Sequence, residues 1–122
     1  MPDILIIDDD ANFLDNLREG LQQYSPRFDI IHVNCRKKAT EALRTIRVDV
    51  IIIDENMLDK EDFELLGQLR ILQNSFPFMQ VILLSTCRQI HVEESPMHIR
   101  FMRYQKQALA INDIARASLA LV

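Results

Sequence analysis

Three aspartates in a row, Asp8, Asp9 and Asp10, follow the apolar run Ile4 to Ile7 in "ILIIDDD". A fourth, Asp54, comes directly after Val50 to Ile53 in "VDVIIIDENM". Ser85 ends "MQVILLS", and Lys106 stands two residues beyond "IRFMRY". Apolar β-branched runs this short read as strands buried on both faces, and such strands do not ordinarily end in an unpaired acid. If the first and third strands are neighbours, their terminal carboxylates face one another. Like charges 4 Å apart repel by roughly 4 kcal/mol at an effective dielectric near 20, so protons or a cation must relieve them. Hard oxygen donors suit Mg2+, which takes one or two carboxylates together with waters and phosphate oxygens. With Asp8 and Asp9 on such an ion, Asp54 is free to attack phosphorus and form an acyl phosphate. The ion, the Ser85 hydroxyl and the Lys106 ammonium would each take one equatorial oxygen. Helix capping is the structural alternative. It suits Asp10, which precedes "ANFLDNL", and leaves Asp54 unexplained.

The elements that must position these groups follow from apolar spacing. Short runs recur as "ILII" at 4–7, "FDIIHV" at 28–33, "VIII" at 50–53, "MQVILL" at 79–84 and "IRFMRY" at 99–104. Between them lie stretches of helical period, with Phe13, Leu14, Leu17 and Leu21 in one and Leu65, Leu66, Leu69 and Leu72 in another. Five alternations of strand and helix predict an α/β fold: one doubly wound (βα)5 domain, with helices on both faces of a parallel sheet. Strand order 2-1-3-4-5 would place the first and third strands side by side, with the functional groups at their carboxyl ends. Proline at 26, 77 and 96 marks boundaries. The fourth helical slot, "TCRQIHVEESPMH" at 86–98, is poorly periodic and predicts a brief or irregular element. In the last stretch, "ALAINDIARASLALV", Ile111, Ile114, Ala115 and Ser118 are expected to face the sheet, with Ala110, Ala117 and Leu121 outward.

Composition narrows the function classes. A chain of 122 residues, 48% hydrophobic, is enough for one domain with a genuine core and too little for two. A net charge of −4, with "CRKK" the only basic cluster, argues against binding a nucleic-acid backbone. Cys35 and Cys87 form no CxxC or Cys/His pattern and read as buried thiols in a reducing cytosol, so a cytoplasmic location is expected. His32, His91 and His98 lack ligand spacing and read as surface or edge residues. No leader and no apolar run near 18 residues is present, so neither secretion nor membrane contact is expected.

Over its whole length, 1–122, the chain resembles the receiver domain of two-component response regulators. "ILIIDDD" is similar to that family's first-strand acidic motif, "VIIIDENM" to its phosphoacceptor strand and "VILLS" to its fourth strand, and Lys106 falls where the family has its lysine. The resemblance implies that Asp54 is the phosphoacceptor, and that Ser85 and Lys106 engage the phosphoryl group. It implies Mg2+ held by Asp8, Asp9, Asp54 and the backbone carbonyl of Asn56. A sensor histidine kinase or phosphotransfer protein would be the donor. The switching face would be built from the fourth helical segment, the fifth strand and the final helix, and would serve a homodimer or an effector domain. The chain departs from the pattern at Leu58 and Gln107, where the family has proline, at Asp62, where it has glycine, and at Thr86, where it has a smaller residue. The aromatic slot three before the lysine is held by Arg103 or, after a one-residue shift, by Tyr104.

Two other readings compete. A protein-interaction module independent of phosphorylation would tolerate the departures at Leu58, Asp62 and Gln107, but leaves the acid cluster without a use. An enzyme is not expected. An aspartyl-nucleophile phosphatase needs a second acid where Asn56 stands, and with only Gly20 and Gly67 no GxxxxGK[ST] loop exists. The chain reads either as a stand-alone regulator or as the amino-terminal piece of a longer one.

Overall fold

The computed structural model describes residues 3–24, 29–58, 63–85, 99–107 and 111–119. The chain alternates β1 (Asp3–Ile7), α1 (Ala11–Tyr24), β2 (Asp29–Val33), α2 (Arg36–Thr45), β3 (Val50–Asp54), a 3-10 turn (Glu55–Met57), α3 (Phe63–Ser75), β4 (Gln80–Ser85), β5 (Phe101–Gln105) and α4 (Ile111–Leu119). The five strands form one parallel sheet, as the spacing of the apolar runs predicts, and their order is β2-β1-β3-β4-β5, the order the resemblance implies. The expected element at 86–98, together with Asp62, Thr86, Cys87, His91, His98, Ala110 and Leu121, lies outside the described residues.

Strand residues alternate between two cores. Ile4, Ile6, Val50, Ile52, Ile82 and Leu84 pack with Leu14, Leu17 and Leu21 of α1 and with Ile111 and Ile114 of α4. Leu5, Ile7, Ile51, Ile53, Val81 and Leu83 face the other way, against Ala39 and Leu43 of α2 and Leu65, Leu66 and Leu69 of α3. Successive side chains on a strand point to opposite faces. A central strand between two helical layers is therefore apolar at every position, and β3 is buried throughout. Burying one such side chain contributes about 1.5–3 kcal/mol relative to leaving it in water, so the register is held by many residues at once. Ile111 and Ile114 are buried as the periodicity of the last helix predicts.

Two close fits set the helices. Gly20 lets α1 approach α4 so nearly that a Cβ there would stand 2.2 Å from Ile111 Cγ2. Gln73, on the buried side of α3, donates from Nε2 to the Arg100 carbonyl at 2.7 Å and accepts the Arg100 amide on Oε1 at 2.9 Å. That paired amide holds the approach to β5. Cys35 is half-buried rather than buried, because it stands at the start of α2 and not on a core face.

Candidate functional site

The site forms where β1 and β3 end together. Ile7 pairs with Ile53 in the parallel register, so the next residues, Asp8 and Asp54, emerge side by side. Both are buried, at 1% and 3% exposure, whereas Asp9 and Asp10 are exposed. One oxygen from each of Asp8, Asp9 and Asp54 falls within 4.8 Å of the others. The backbone of Asp8 is clamped by β2 on both sides. Its amide donates to the Val33 carbonyl at 3.1 Å, and its carbonyl accepts from His32 Nε2 at 2.7 Å.

Local hydrogen bonds use part of each carboxylate. Asp8 Oδ1 accepts the Asp10 amide at 2.9 Å, and Asp10 Oδ1 accepts the Phe13 amide at 3.2 Å, the N-cap bond expected of Asp10 at the head of α1. Asp54 Oδ1 accepts the Asn56 amide at 3.0 Å and so caps the 3-10 turn. Capping therefore accounts for one oxygen of Asp54, contrary to the expectation that it would leave this residue unexplained; it does not account for the other.

That second oxygen faces Lys106. The ammonium donates to Asp54 Oδ2 at 2.7 Å and to Asp8 Oδ1 at 3.0 Å, with Asp10 Oδ2 at 3.7 Å and the Phe13 ring centroid at 5.3 Å. The lysine side chain is 8% exposed. A cation thus relieves the carboxylate repulsion, and the protein supplies it. Asp8 Oδ2 also lies 3.0 Å from the ammonium, an ion-pair contact without hydrogen-bond geometry. Burial pushes the Asp8 carboxyl above its ordinary range, with the nearby Asp54 charge adding to the effect; the Asp10 amide and Lys106 act against it without cancelling it. Burial would lower Lys106, but its bonds to Asp54 and Asp8 outweigh that and hold the ammonium above its ordinary value.

Ser85 ends β4 one position past Leu84, the residue paired with Asp54, and its carbonyl accepts the Lys106 amide at 2.8 Å. Asp8, Asp9, Asp54, Ser85 and Lys106 therefore gather at one rim, with Asn56 two residues beyond Asp54. The two positions where the resembled family has proline carry working amides. Leu58 N donates to the Glu55 carbonyl at 3.0 Å, and Gln107 N to the Gln105 carbonyl at 2.9 Å. Proline has no such donor, and the turn after Lys106 still delivers the ammonium to both acids.

The aromatic slot is decided by alternation along β5. Tyr104 packs against the α1–α4 core, so Arg103 turns to the opposite face, where its guanidinium stands 3.7 Å from Glu55. His32 and Phe13 were not foreseen as parts of the site. His32 lies on an edge strand, as expected, but the pairing of Ile6 with His32 also brings its ring to the Asp8 carbonyl. Only a β1–β2 register could have revealed it.

The acids also fit a divalent metal. They present hard oxygen donors close together, and buried Asp8 Oδ2 has no hydrogen-bond partner.

By sequence, a family profile described as the response regulator receiver domain matches residues 4–115. No curated protein matches the chain. Among solved structures it is similar to the chemotaxis response regulator CheY4 of Vibrio cholerae, with a TM-score of 0.74 at 20% identity over 97% of this chain and 98% of that one. It is also similar to the non-phosphorylated receiver domain of the stress response regulator RcsB from Escherichia coli, with a TM-score of 0.73 at 19% identity over 98% and 92% of the two chains. The phosphorylated cyanobacterial phytochrome response regulator RcpA gives 0.71 at 18% identity over 99% and 96%. These structures carry the same fold, and the profile match, spanning almost the entire chain, makes this protein a member of the response regulator receiver domain family.

Proposed function

We propose that the chain is a phosphoacceptor switch in two-component signalling, with Asp54 receiving a phosphoryl group from a sensor histidine kinase or phosphotransfer protein. The observation that carries this reading is Lys106 Nζ bridging Asp54 at 2.7 Å and Asp8 at 3.0 Å in a nearly closed site. Neutralising two buried acids with a cation that reaches in from the end of the edge strand β5 is costly as mere architecture, since desolvating such groups offsets much of their attraction.

In this reading a carboxylate oxygen of Asp54 attacks phosphorus as the bond to the donor group breaks, leaving an acyl phosphate. Asp8, Asp9, Asp54 and the Asn56 carbonyl would hold Mg2+, which would supply positive charge to the phosphoryl oxygens. Lys106 exchanges its bond with Asp54 for one with the new dianion, and Ser85 donates its hydroxyl to another oxygen. The protein is then a signalling phosphoacceptor and not an enzyme acting on a separate substrate. Its output passes through an interaction face that includes β5 and α4, toward a second copy or an effector domain.

Incubation with a small phosphodonor and Mg2+ is expected to add one phosphoryl mass, detected on the intact protein. The adduct disappears when Mg2+ is chelated and in Asp54→Asn. An unmodified mass on folded, metal-replete protein, beside a receiver that labels under the same conditions, overturns the reading.

A further inference from the structure

Four groups stand close to the Lys106 ammonium, and two of them take no part in the phosphoacceptor chemistry. Asp54 and Asp8 accept its hydrogen bonds. Asp10 Oδ2 lies 3.7 Å away, and the ammonium sits over the Phe13 ring, 5.3 Å from its centroid. A cation within about 6 Å of an aromatic centroid is attracted by the negative ring face, more strongly where water is kept out. The lysine side chain is 8% exposed, so water screens this contact little.

The sequence builds this wall locally. Phe13 is the third residue of α1, and its amide donates to Asp10 Oδ1 at 3.2 Å. The cap that starts the helix therefore also fixes the backbone that carries the ring. In the apolar stripe of α1, Leu14, Leu17 and Leu21 are buried, whereas Phe13 is half-buried and only borders that core. Covering a core edge asks for a bulky apolar side chain of about the right size and not for an aromatic one. A face for a cation asks for the aromatic ring.

The resting lysine leans on Asp54 Oδ2 at 2.7 Å, and phosphorylation removes that support. As an Asp54 oxygen bonds to phosphorus, the donor's leaving group departs with the electron pair of the broken bond, and the carboxylate ceases to be an anion. Lys106 must then turn to the phosphoryl oxygens. The ring is not consumed in this exchange. It neither donates nor accepts a conventional hydrogen bond, so it restrains the ammonium without competing for its protons. We propose that Phe13 is a positioning residue, whose ring face keeps the Lys106 ammonium at the rim while the lysine passes from Asp54 to the phosphoryl group. This role rests on the phosphoacceptor reading.

The test uses the full chain with Phe13→Leu, Phe13→Tyr, and mono-, di- and trifluorinated phenylalanine placed at position 13. Fluorine drains the ring face of electron density with little change of shape, so a purely steric role does not follow the fluorine count. Two readouts are taken: the initial rate of phosphoryl addition from acetyl phosphate with Mg2+, by intact mass, and the resting chemical shift of the Lys106 ε-methylene protons. The rate is expected to fall with each fluorine and by about threefold to tenfold in Phe13→Leu, while Phe13→Tyr stays within about twofold of the parent. The ε-methylene protons, shielded by the ring in the parent, move downfield in Phe13→Leu. Circular dichroism checks folding, and the fluorinated series decides should Phe13→Leu not fold. A rate indifferent to fluorine count, a folded Phe13→Leu as fast as the parent, or an unmoved ε-methylene shift overturns the proposal. A parent that takes no phosphoryl group overturns the phosphoacceptor reading, and with it the role of the ring in transfer; a parent that labels and is indifferent to the fluorine series overturns the role of Phe13 alone.

Discussion

Asp8 carries a conflict that its neighbours only partly resolve. It accepts from the Asp10 amide and from Lys106, yet one buried oxygen accepts no hydrogen bond and its carboxyl is pushed above the ordinary value of 3.8. A carboxyl whose folded value is raised binds more protons in the native state, so its contribution to stability is greatest below the unfolded value and is lost as pH rises through the folded one. In metal-free protein Asp8→Asn is therefore expected to melt at a higher temperature than the parent near about pH 7, with the gap closing toward about pH 4. Thermal denaturation across that range checks it; a parent more stable than the variant at neutral pH would show that the Lys106 bond outweighs burial. Lys106 behaves differently. Its raised value leaves its contribution fully present below 10.5 and lost only as pH climbs through the folded value, so it adds no slope near neutrality.

At the scale of elements, the packing of α1 on α4 hangs on Gly20. Replacing it with alanine would ordinarily favour a helix by about 0.8–1 kcal/mol, but here the new methyl meets Ile111 Cγ2, which sits on a branched carbon and has little room to swing. Overpacking costs about 1–3 kcal/mol. Gly20→Ala is expected to lower Tm by about 4 °C, and Gly20→Val by more. Scanning calorimetry decides, and a stabilised Gly20→Ala would mean that α4 yields freely. Gln73 teaches a related lesson. It lies four residues after Leu69 in the apolar stripe of α3, where a polar residue looks like an interruption, and its reason becomes visible only once Arg100 is seen beside it.

For the molecule as a whole, two helical layers clamp a sheet whose centre is uniformly apolar, and the acids stand at one end of that rigid layer. A metal bound there to the native state alone must stabilise the entire fold. At free Mg2+ near one hundred times its dissociation constant the gain is about 2.7 kcal/mol. Thermal unfolding is expected to shift upward with Mg2+ in the parent and not in Asp8→Asn; an equal shift in both would place the ion elsewhere. The amino-acid sequence by itself determined the five strands, the helical periods, the two-sided burial of β3 and the places of Asp8, Asp54 and Lys106 at or just past strand ends, because alternation and apolar spacing are local properties written into each segment. Only the tertiary structure decided that Asp54 also caps a turn, that Lys106 reaches both acids without a following proline, that Arg103 and not Tyr104 turns toward Glu55, and that His32 and Phe13 join the site. Those outcomes depend on register and side-chain reach between segments far apart in the chain. They are set by the summed packing of both cores, a quantity that no single segment encodes.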